Sequence, residues 1–226
     1  MLRDNLPPYQ LPKANDLSVP INYEVEQILL FVDNCVPNFP TFYKTIKDSD
    51  TENRISDFLV HHFQLCKTEN NQDYFPYDFR KNPTQASSGK ETDIGVFVLT
   101  RGRKPSPLIE FEAKRFSESS SNEQYVYGNR GGIERFKRGH HSSHLKVCGM
   151  FAYIQSRSSE EWYTKVNSWI TNQYNTNTDT SIEWLEKEQL SKYTSFSSVE
   201  KYTSSHTRKY LDDSILLWHY FIDLTN

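Results

Sequence analysis

Cysteines, glycines and long apolar runs are all scarce in this chain of 226 residues. The three cysteines, Cys35, Cys66 and Cys148, are an odd number without the spacing of metal ligands, so we expect reduced structural thiols in a cytoplasmic protein. No apolar run approaches membrane-spanning length, and the first residues lack the hydrophobic segment of a signal peptide. The sequence therefore predicts neither a membrane protein nor a secreted one.

The eight glycines and seven histidines form none of the common catalytic motifs. Neither a G-x-x-x-x-G-K-[ST] loop nor a G-x-G-x-x-G loop occurs, which excludes the usual nucleotide-binding loops. A G-x-S-x-G nucleophile elbow is also absent. The groups His61-His62 and His140-His141-x-x-His144 have no further ligand at credible spacing, so we do not expect a zinc enzyme.

Charge and composition favour one folded domain. The 26 basic and 29 acidic residues leave a formal net charge of −3, so any contact with nucleic acid must come from a local basic patch. Hydrophobic residues are only 36% of the chain, but 14% of all residues are aromatic and supply large side chains for a core. At this length the simplest prediction is a single α/β domain.

Apolar periodicity predicts the order of the elements. Four prolines mark residues 1–20 as an irregular arm, and residues 21–226 are predicted to form the domain. Predicted helices lie at 21–32, which is expected to end at Pro37 and Pro40, and at 51–66, 159–170 and 181–190. Residues 123–138 are predicted to be helical in one or two pieces, broken at Gly131-Gly132. Predicted strands lie at 74–80, 92–99, 108–114 and 147–154, with a terminal hairpin of strands at 199–208 and 215–224.

Two neighbouring strands carry the residues of chemical interest. The strand at 108–114 has one apolar face, and its other face carries Glu110, Glu112 and Lys114, because side chains alternate along a strand. Ionised groups are costly to bury unless they are paired or bind a metal, so we expect this face to line a cleft. The strand at 92–99 is nearly all apolar after Asp93. A hairpin across residues 100–107 would bring Asp93 close to Glu112.

Two carboxylates and a lysine in this arrangement suit phosphodiester hydrolysis. Asp93 and Glu112 can share a divalent ion such as Mg²⁺, which is often held by one or two carboxylates together with water and phosphate oxygens. Such an ion polarises a phosphoryl oxygen and lowers the pKa of a bound water. Lys114 adds a compact positive charge that orients the water or stabilises charge on the phosphate. The competing interpretation is an edge strand whose charges form cross-strand ion pairs.

The pattern resembles the PD-(D/E)xK superfamily of restriction-endonuclease-like nucleases, which place an acid on one strand and an acid-x-Lys on the next. Asp93, Glu112 and Lys114 match these positions, although Thr92 stands where the family often has proline. The resemblance implies an α/β fold with a restriction-endonuclease-like mixed central sheet flanked by helices. It also implies metal-dependent cleavage of DNA with Mg²⁺ or Mn²⁺, in which the Ala113 carbonyl helps the two acids to hold the metal.

Polar residues outside these two strands are further candidates. The resemblance makes Glu52, on the upstream helix, an additional metal ligand, whereas Ser49 three residues earlier favours a capping box in which Glu52 serves its own helix. The capping or surface interpretation is slightly preferred. Asp78 is a rival acid, but its proline-containing surroundings suit an edge strand. Residues of this kind are more often structural than in contact with substrate, and they include Gln155, His206, Arg208 and His219.

A basic segment follows the acid-x-Lys strand. Residues 128–146 contain a single acid, Glu134, and candidates for contacts with the phosphate backbone at Arg130, Arg135, Lys137 and Arg138. A solvated helix face explains such a run of charges equally well.

The resemblance also implies a biological setting, namely bacterial restriction or anti-phage defence. The expected substrate is DNA, the same metal chemistry serves RNA, and a homodimer or a partner subunit of a defence complex is expected to supply specificity. The alternative is a non-catalytic nucleic-acid-binding or assembly subunit with the same fold, whose charged strand face is structural.

Overall fold

The described strands form one seven-stranded mixed sheet. A computed structural model describes residues 21–69, 75–83, 91–98, 106–128 and 131–225, so the arm predicted at 1–20 lies outside the described residues. The strands are β1 Tyr77–Lys81, β2 Ile94–Val98, β3 Pro107–Phe116, β4 Val147–Ile154, β5 Ser191–Phe196, β6 Val199–Arg208 and β7 Asp213–Asp223. Their order is β1-β2-β3-β4-β7-β6-β5, with parallel pairing only between β3 and β4 and between β4 and β7 among these strands. The predicted mixed α/β class is confirmed.

Helices cover both faces of this sheet. The first face packs against α1 Tyr23–Cys35, α2 Phe39–Ile46 and α3 Glu52–Glu69, and the second face packs against α4 Gly132–Lys137 and α5 Ser159–Thr176. Side chains of β3 alternate between the two cores, since Phe111 and Ala113 join the first and Phe116 joins the second. Every residue of β4 is buried, as expected for a central strand between parallel neighbours.

The first helix extends beyond its predicted end. Asn22 caps α1, because its side-chain oxygen accepts a hydrogen bond from the Val25 amide at 2.9 Å. The prediction that prolines end this helix is confirmed, because α1 ends at Cys35, two residues before Pro37. A 3₁₀ turn at Val36–Asn38 then leads directly into α2, which was not predicted. Pro40 lies in the first turn of α2, where the amide hydrogen that proline lacks has no partner within a helix.

The helix predicted at 181–190 is wrong. This segment contains only a 3₁₀ turn, Glu186–Glu188, although its apolar residues Ile182 and Trp184 are buried. The carboxylate of Glu188 accepts hydrogen bonds from the amides of Leu185 at 3.2 Å and Thr207 at 2.8 Å. Side-chain bonds of this kind compete with the helical hydrogen bonds that the periodicity predicted.

The C-terminal hairpin is confirmed and is larger than predicted. β6 and β7 pair antiparallel, and β5, which was not predicted, adds a third strand at the edge of the sheet. β5 escaped detection because none of its residues is buried, so it lacks the apolar alternation that indicates a strand.

The three cysteines are buried thiols without a disulfide bond, as predicted. None of the helices in the described part of the chain combines the length and apolar character needed to cross a membrane.

Candidate active-site cleft

The antiparallel pairing of β2 with β3 brings the two predicted acids together. Ile94 pairs with Phe111, and Asp93 immediately precedes β2, so Asp93 lies at the same end of the sheet as Glu112. Asp93 Oδ2 accepts a hydrogen bond from the Ala113 amide at 2.6 Å. Most of the hairpin loop predicted at 100–107 lies outside the described residues, but the strand pairing that it implies is confirmed.

Lys114 contacts Glu112 on the same face of β3. Its Nζ donates to Glu112 Oε1 at 2.8 Å and to the Ala113 carbonyl at 2.9 Å. The Glu112 side chain is 3% exposed and the Lys114 side chain is 12% exposed, so the pair is largely shielded from solvent. The predicted alternation is confirmed, and all three residues of the predicted motif meet within one region.

A second cation reaches Glu112 from α4. Arg135 Nη1 donates to Glu112 Oε1 at 3.0 Å, and the same Nη1 lies 3.1 Å from His141 Nε2. Because a guanidinium group only donates, His141 Nε2 must accept this hydrogen bond. His141 was considered in the sequence only as a zinc ligand, and no sequence pattern indicated its contact with Arg135.

Glycine allows α4 to lie close to Glu112. The helix begins at Gly132, where a Cβ atom would collide with the side chain of Met150 on β4. The break predicted at Gly131-Gly132 is therefore confirmed as a helix start, with a separate 3₁₀ turn at Asn122–Tyr125. This close approach places the Arg135 side chain over the charged face of β3.

Glu52 faces the cleft rather than serving only its own helix. Its Oε2 accepts a hydrogen bond from the Arg115 amide at 3.0 Å, and its Oε1 lies 3.6 Å from Lys114 Nζ. The preferred capping interpretation is therefore wrong: Glu52 at the start of α3 reaches across to the end of β3. Burial raises the pKa of Glu52, the charge of Lys114 lowers it, and the charge of Asp93 raises it further.

Negative charge exceeds positive charge among these side chains. Burial, followed by the charge of Glu112, raises the pKa of Asp93 to about 6, despite opposing effects of Lys114 and Arg135. Burial opposes the charge on Lys114, but the carboxylates of Glu112, Glu52 and Asp93 raise its pKa overall, so it stays protonated at neutral pH. Three carboxylates thus face two cations, and an added cation would relieve the repulsion between the acids.

The donor set suits a partly hydrated ion rather than a closed protein cage. Within the described ranges, no group of three or more His, Cys, Asp or Glu side chains is placed to hold a metal together. Of the predicted ligands, the Ala113 carbonyl accepts from Lys114, and Glu52 accepts from the Arg115 amide. Asp93 accepts from the Ala113 amide through Oδ2, and Glu112 accepts from Lys114 and Arg135 through Oε1. Each carboxylate has a second oxygen that could bind an ion such as Mg²⁺, which commonly takes one or two carboxylates and keeps several waters.

These residues line a cleft with a volume of about 840 Å³. Its floor includes Asp93, Glu112, Lys114 and Arg135. Neutral hydrogen-bonding side chains surround the charged floor, namely Asn53, Asn82, Ser120, Ser121, Asn122 and Gln124. The cleft is thus lined mainly by polar side chains, and Glu52, Glu91 and Arg115 add further charges.

The predicted phosphate-contacting residues are dispersed. Arg130 lies outside the described residues, and Arg135 belongs to the cleft. Lys137 is in the core, where Nζ donates to both oxygens of Glu188 at 2.7 Å, so its prediction as a surface contact is wrong. Arg138 binds Glu134 and Asp179, each at 2.6 Å. Only Arg135 among the described candidates reaches the cleft.

Other polar candidates are also held within the protein. Gln155 Nε2 donates to the Asp50 carbonyl at 3.0 Å. Arg208 is buried and binds Asp213 at 2.6 Å, and His206 and His219 are fully buried. Asp78, the rival acid, lies on the edge strand β1 and binds Arg80 at 2.7 Å. These residues therefore make contacts within the protein, which is the role that the sequence favoured for them.

Comparisons of this chain with protein-family profiles, with curated protein sequences and with solved structures find no significant match.

Proposed function

We propose that this protein is a metal-dependent nuclease of the PD-(D/E)xK type that hydrolyses phosphodiester bonds in DNA. The observation that carries the proposal is the meeting of Asp93, Glu112 and Lys114 in one cleft. Asp93 binds the Ala113 amide at 2.6 Å, while Lys114 binds Glu112 at 2.8 Å. Two acids and an amine on adjacent strands, beside a cleft of about 840 Å³, are the groups that such hydrolysis needs.

The order of elements supports this proposal. α3 with Glu52 precedes β2 with Asp93, and β3 carries Glu112 and Lys114 before α4 and β4 follow. The superfamily places an upstream helix, two strands with the acids, and then a helix and a strand in this sequence. The restriction-endonuclease-like form of the mixed sheet is therefore part of the proposal.

Each residue has a role that follows from its chemistry. When bound, Mg²⁺ or Mn²⁺ would polarise a phosphoryl oxygen and lower the pKa of a bound water. Asp93 and Glu112 hold that ion through their carboxylate oxygens. Lys114 orients the attacking water or steadies the phosphate, and the planar guanidinium of Arg135 suits a second phosphate oxygen.

We extend the proposal to a biological setting on the basis of the resemblance to the PD-(D/E)xK superfamily. The described residues form one sheet flanked by helices and include no separate recognition domain. We therefore propose a cytoplasmic enzyme of restriction or anti-phage defence that works as a homodimer or with a partner subunit.

Cleavage assays on the full chain test the proposed activity. Labelled double-stranded DNA, single-stranded DNA and RNA are incubated with Mg²⁺ or with EDTA. We expect Mg²⁺-dependent cleavage of DNA that Asp93→Ala and Lys114→Ala each reduce by about 100-fold or more, because each removes a group that acts in the transition state.

Two variants outside the cleft control for general damage. Asp78→Ala removes the rival acid on β1, and Lys67→Ala removes a lysine that binds the Tyr77 carbonyl at 2.8 Å. Both should cleave like the native protein. Cleavage that persists in Asp93→Ala and Lys114→Ala would show that the activity does not belong to this cleft.

One observation favours the alternative of a non-catalytic nucleic-acid-binding subunit. Lys114 and Arg135 both bind the same oxygen of Glu112, so the protein's own cations already occupy that oxygen. DNA binding that is unaffected by EDTA, without cleavage of any tested substrate, would favour this alternative.

A further inference from the structure

A line of five buried polar side chains lies between α4 and the sheet. Tyr125 OH lies 2.7 Å from His219 Nδ1, and His219 Nε2 lies 2.7 Å from Ser204 Oγ. Ser204 Oγ lies 2.7 Å from His206 Nε2, and His206 Nδ1 lies 3.6 Å from Glu188 Oε2. All five residues are at most 4% exposed, so water cannot readily replace any of these contacts.

The charge of Glu188 determines which atoms donate. Burial opposes ionisation, but His206 and Lys137 lower the pKa of Glu188 to about 2, so it is a carboxylate and only accepts. A lone pair on His206 Nδ1 would face that negative charge, so the proton belongs on Nδ1 and His206 Nε2 accepts from Ser204. Ser204 then accepts from His219 Nε2, and His219 Nδ1 accepts from Tyr125. The three hydrogen bonds of the line thus run from Tyr125 toward His206, whose Nδ1 faces Glu188 across 3.6 Å.

Both ends of this line attach to α4. At one end, Tyr125 closes the 3₁₀ turn that lines the cleft, and the next residue, Val126, accepts a hydrogen bond from the Glu134 amide at 2.9 Å. At the other end, Glu188 binds Lys137, the last residue of α4, at 2.7 Å. α4 has only six residues and cannot hold its place by its own hydrogen bonds.

The position of α4 matters because it carries Arg135. Arg135 reaches Glu112 at 3.0 Å, and a displacement of the helix by 1 Å would break this contact. Hydrogen bonds in a buried network specify one geometry, since each unsatisfied group is costly.

We propose that the line Tyr125–His219–Ser204–His206–Glu188 is a brace that positions α4, and through it Arg135, against the phosphate-binding side of the cleft. This inference rests on the proposed nuclease function. Tyr125 and His219 are then positioning residues that act through Arg135 and have no contact with substrate of their own.

A double-mutant cycle between Tyr125→Phe and Arg135→Ala tests this brace. Tyr125→Phe keeps the aromatic ring and removes only the hydroxyl that binds His219. We expect it to lower kcat by about 10- to 100-fold with little change in KM, because a misplaced Arg135 loses its transition-state contact. In the Arg135→Ala background the same substitution should change kcat by less than about twofold.

Tyr220→Phe is the matched control. Tyr220 is also fully buried, and its hydroxyl donates to Asp33 at 2.9 Å on the opposite face of the sheet. This variant should leave kcat within about twofold of the native value in both backgrounds. Equal losses of kcat from Tyr125→Phe with and without Arg135, or no loss at all, would overturn the brace.

Amide hydrogen exchange gives a readout that does not depend on cleavage. We expect Tyr125→Phe, and Ser204→Ala at the middle of the line, to accelerate exchange of the Glu134, Arg135 and Arg138 amides by about tenfold, while Tyr220→Phe leaves these rates unchanged. If the native protein cleaves nothing but this acceleration is seen, the nuclease proposal fails and the brace stands. Unchanged exchange in both variants would overturn the brace itself.

Discussion

Two clusters of buried charge lie on opposite faces of the sheet, and they differ in how completely their charges are paired. On the α1 side, Lys201 Nζ donates to both oxygens of Asp33 at 2.7 Å, and Tyr220 adds a hydrogen bond at 2.9 Å. The Lys201 side chain is 0% exposed and that of Asp33 is 8% exposed. The cleft, by contrast, is lined by four carboxylates and three cations beside open space.

The difference separates a structural ion pair from a candidate binding site. Each charge of the Asp33–Lys201 pair has one opposite partner, and Lys201 Nζ also lies 4.3 Å from the centre of the Trp218 ring. In the cleft, burial and then the charge of Glu112 raise the pKa of Asp93, and a bound cation would offset both effects.

The largest expected effect is on the paired cluster. Asp33→Ala would leave Lys201 in the core without its opposite charge, and we expect the free energy of unfolding to fall by about 3–5 kcal/mol. Urea unfolding followed by circular dichroism measures this loss. The double variant Asp33→Leu with Lys201→Met, which removes both charges, should recover most of the stability. A loss below about 1 kcal/mol for Asp33→Ala would mean that the pair is not sealed from water.

The second largest expected effect is stabilisation by a metal ion, which should depend on the cleft and not on the Asp33–Lys201 pair. If the cleft binds Mg²⁺, a concentration 100 times the Kd should stabilise the native protein by about 2.7 kcal/mol. Thermal unfolding with Mg²⁺ and with EDTA measures the shift. Lys201→Met should retain the shift and Asp93→Asn should lose it. Stabilisation of Asp93→Asn by the same amount would place the ion elsewhere.

In EDTA, Asp93→Asn should raise the free energy of unfolding, whereas Asp33→Ala should lower it. Asn keeps an oxygen that can accept from the Ala113 amide, but it lacks the charge that burial and Glu112 disfavour. The rise of the pKa from 3.8 to about 6 already includes the attraction to Lys114 and Arg135 and corresponds to about 3 kcal/mol. Because Asp93 is only partly shielded from solvent, we expect stabilisation of about 1–2 kcal/mol at pH 7. A destabilised variant, measured by urea unfolding, would contradict the assignment of excess negative charge.

The smallest expected effect is the pH dependence of the difference in unfolding free energy between Asp93→Asn and the native protein. The pKa of Asp93 is about 6 in the folded protein and near 3.8 ordinarily, so the folded state takes up the proton first as the pH falls. The advantage of Asp93→Asn should therefore be full above about pH 6 and vanish near pH 4. His206 and His219, whose pKa values burial lowers, destabilise both proteins below about pH 6.5 and so cancel in the comparison. Unfolding at pH 7, 5 and 4 tests this trend.

Most central elements could be predicted from the sequence because their signals are local. The apolar run of β4 and the stripe on α1 reflect burial of a regular face, and the side chains of β3 alternate between two faces that are both largely buried. All three patterns are confirmed. β5 and the segment at 181–190 could not be predicted correctly. β5 is an exposed edge strand, and Glu188 uses its side chain to bind backbone amides that lie far apart in sequence.

The cleft was predicted only in part, because some of its contacts depend on helix packing rather than on local pairing. Asp93, Glu112 and Lys114 lie on two strands joined by one predicted hairpin, so short-range pairing brings them together. Arg135 was predicted to contact a phosphate backbone, but its contact with Glu112 depends on the packing of α4 beside Gly132. Lys137 has the same charge in the same run, yet its position on the helix directs it to Glu188 in the core.

The amino-acid sequence by itself determined the pairing of two acid-bearing strands and the face on which the acids lie, because alternation and hairpin formation act over a few residues. Only the tertiary structure decided which cations meet those acids, that Glu52 reaches across from α3, and that Glu188 and Tyr125 are joined through His206, Ser204 and His219. These contacts join residues between 2 and 94 positions apart along the chain. The packing of helices on the sheet sets such distances, and no local pattern encodes them.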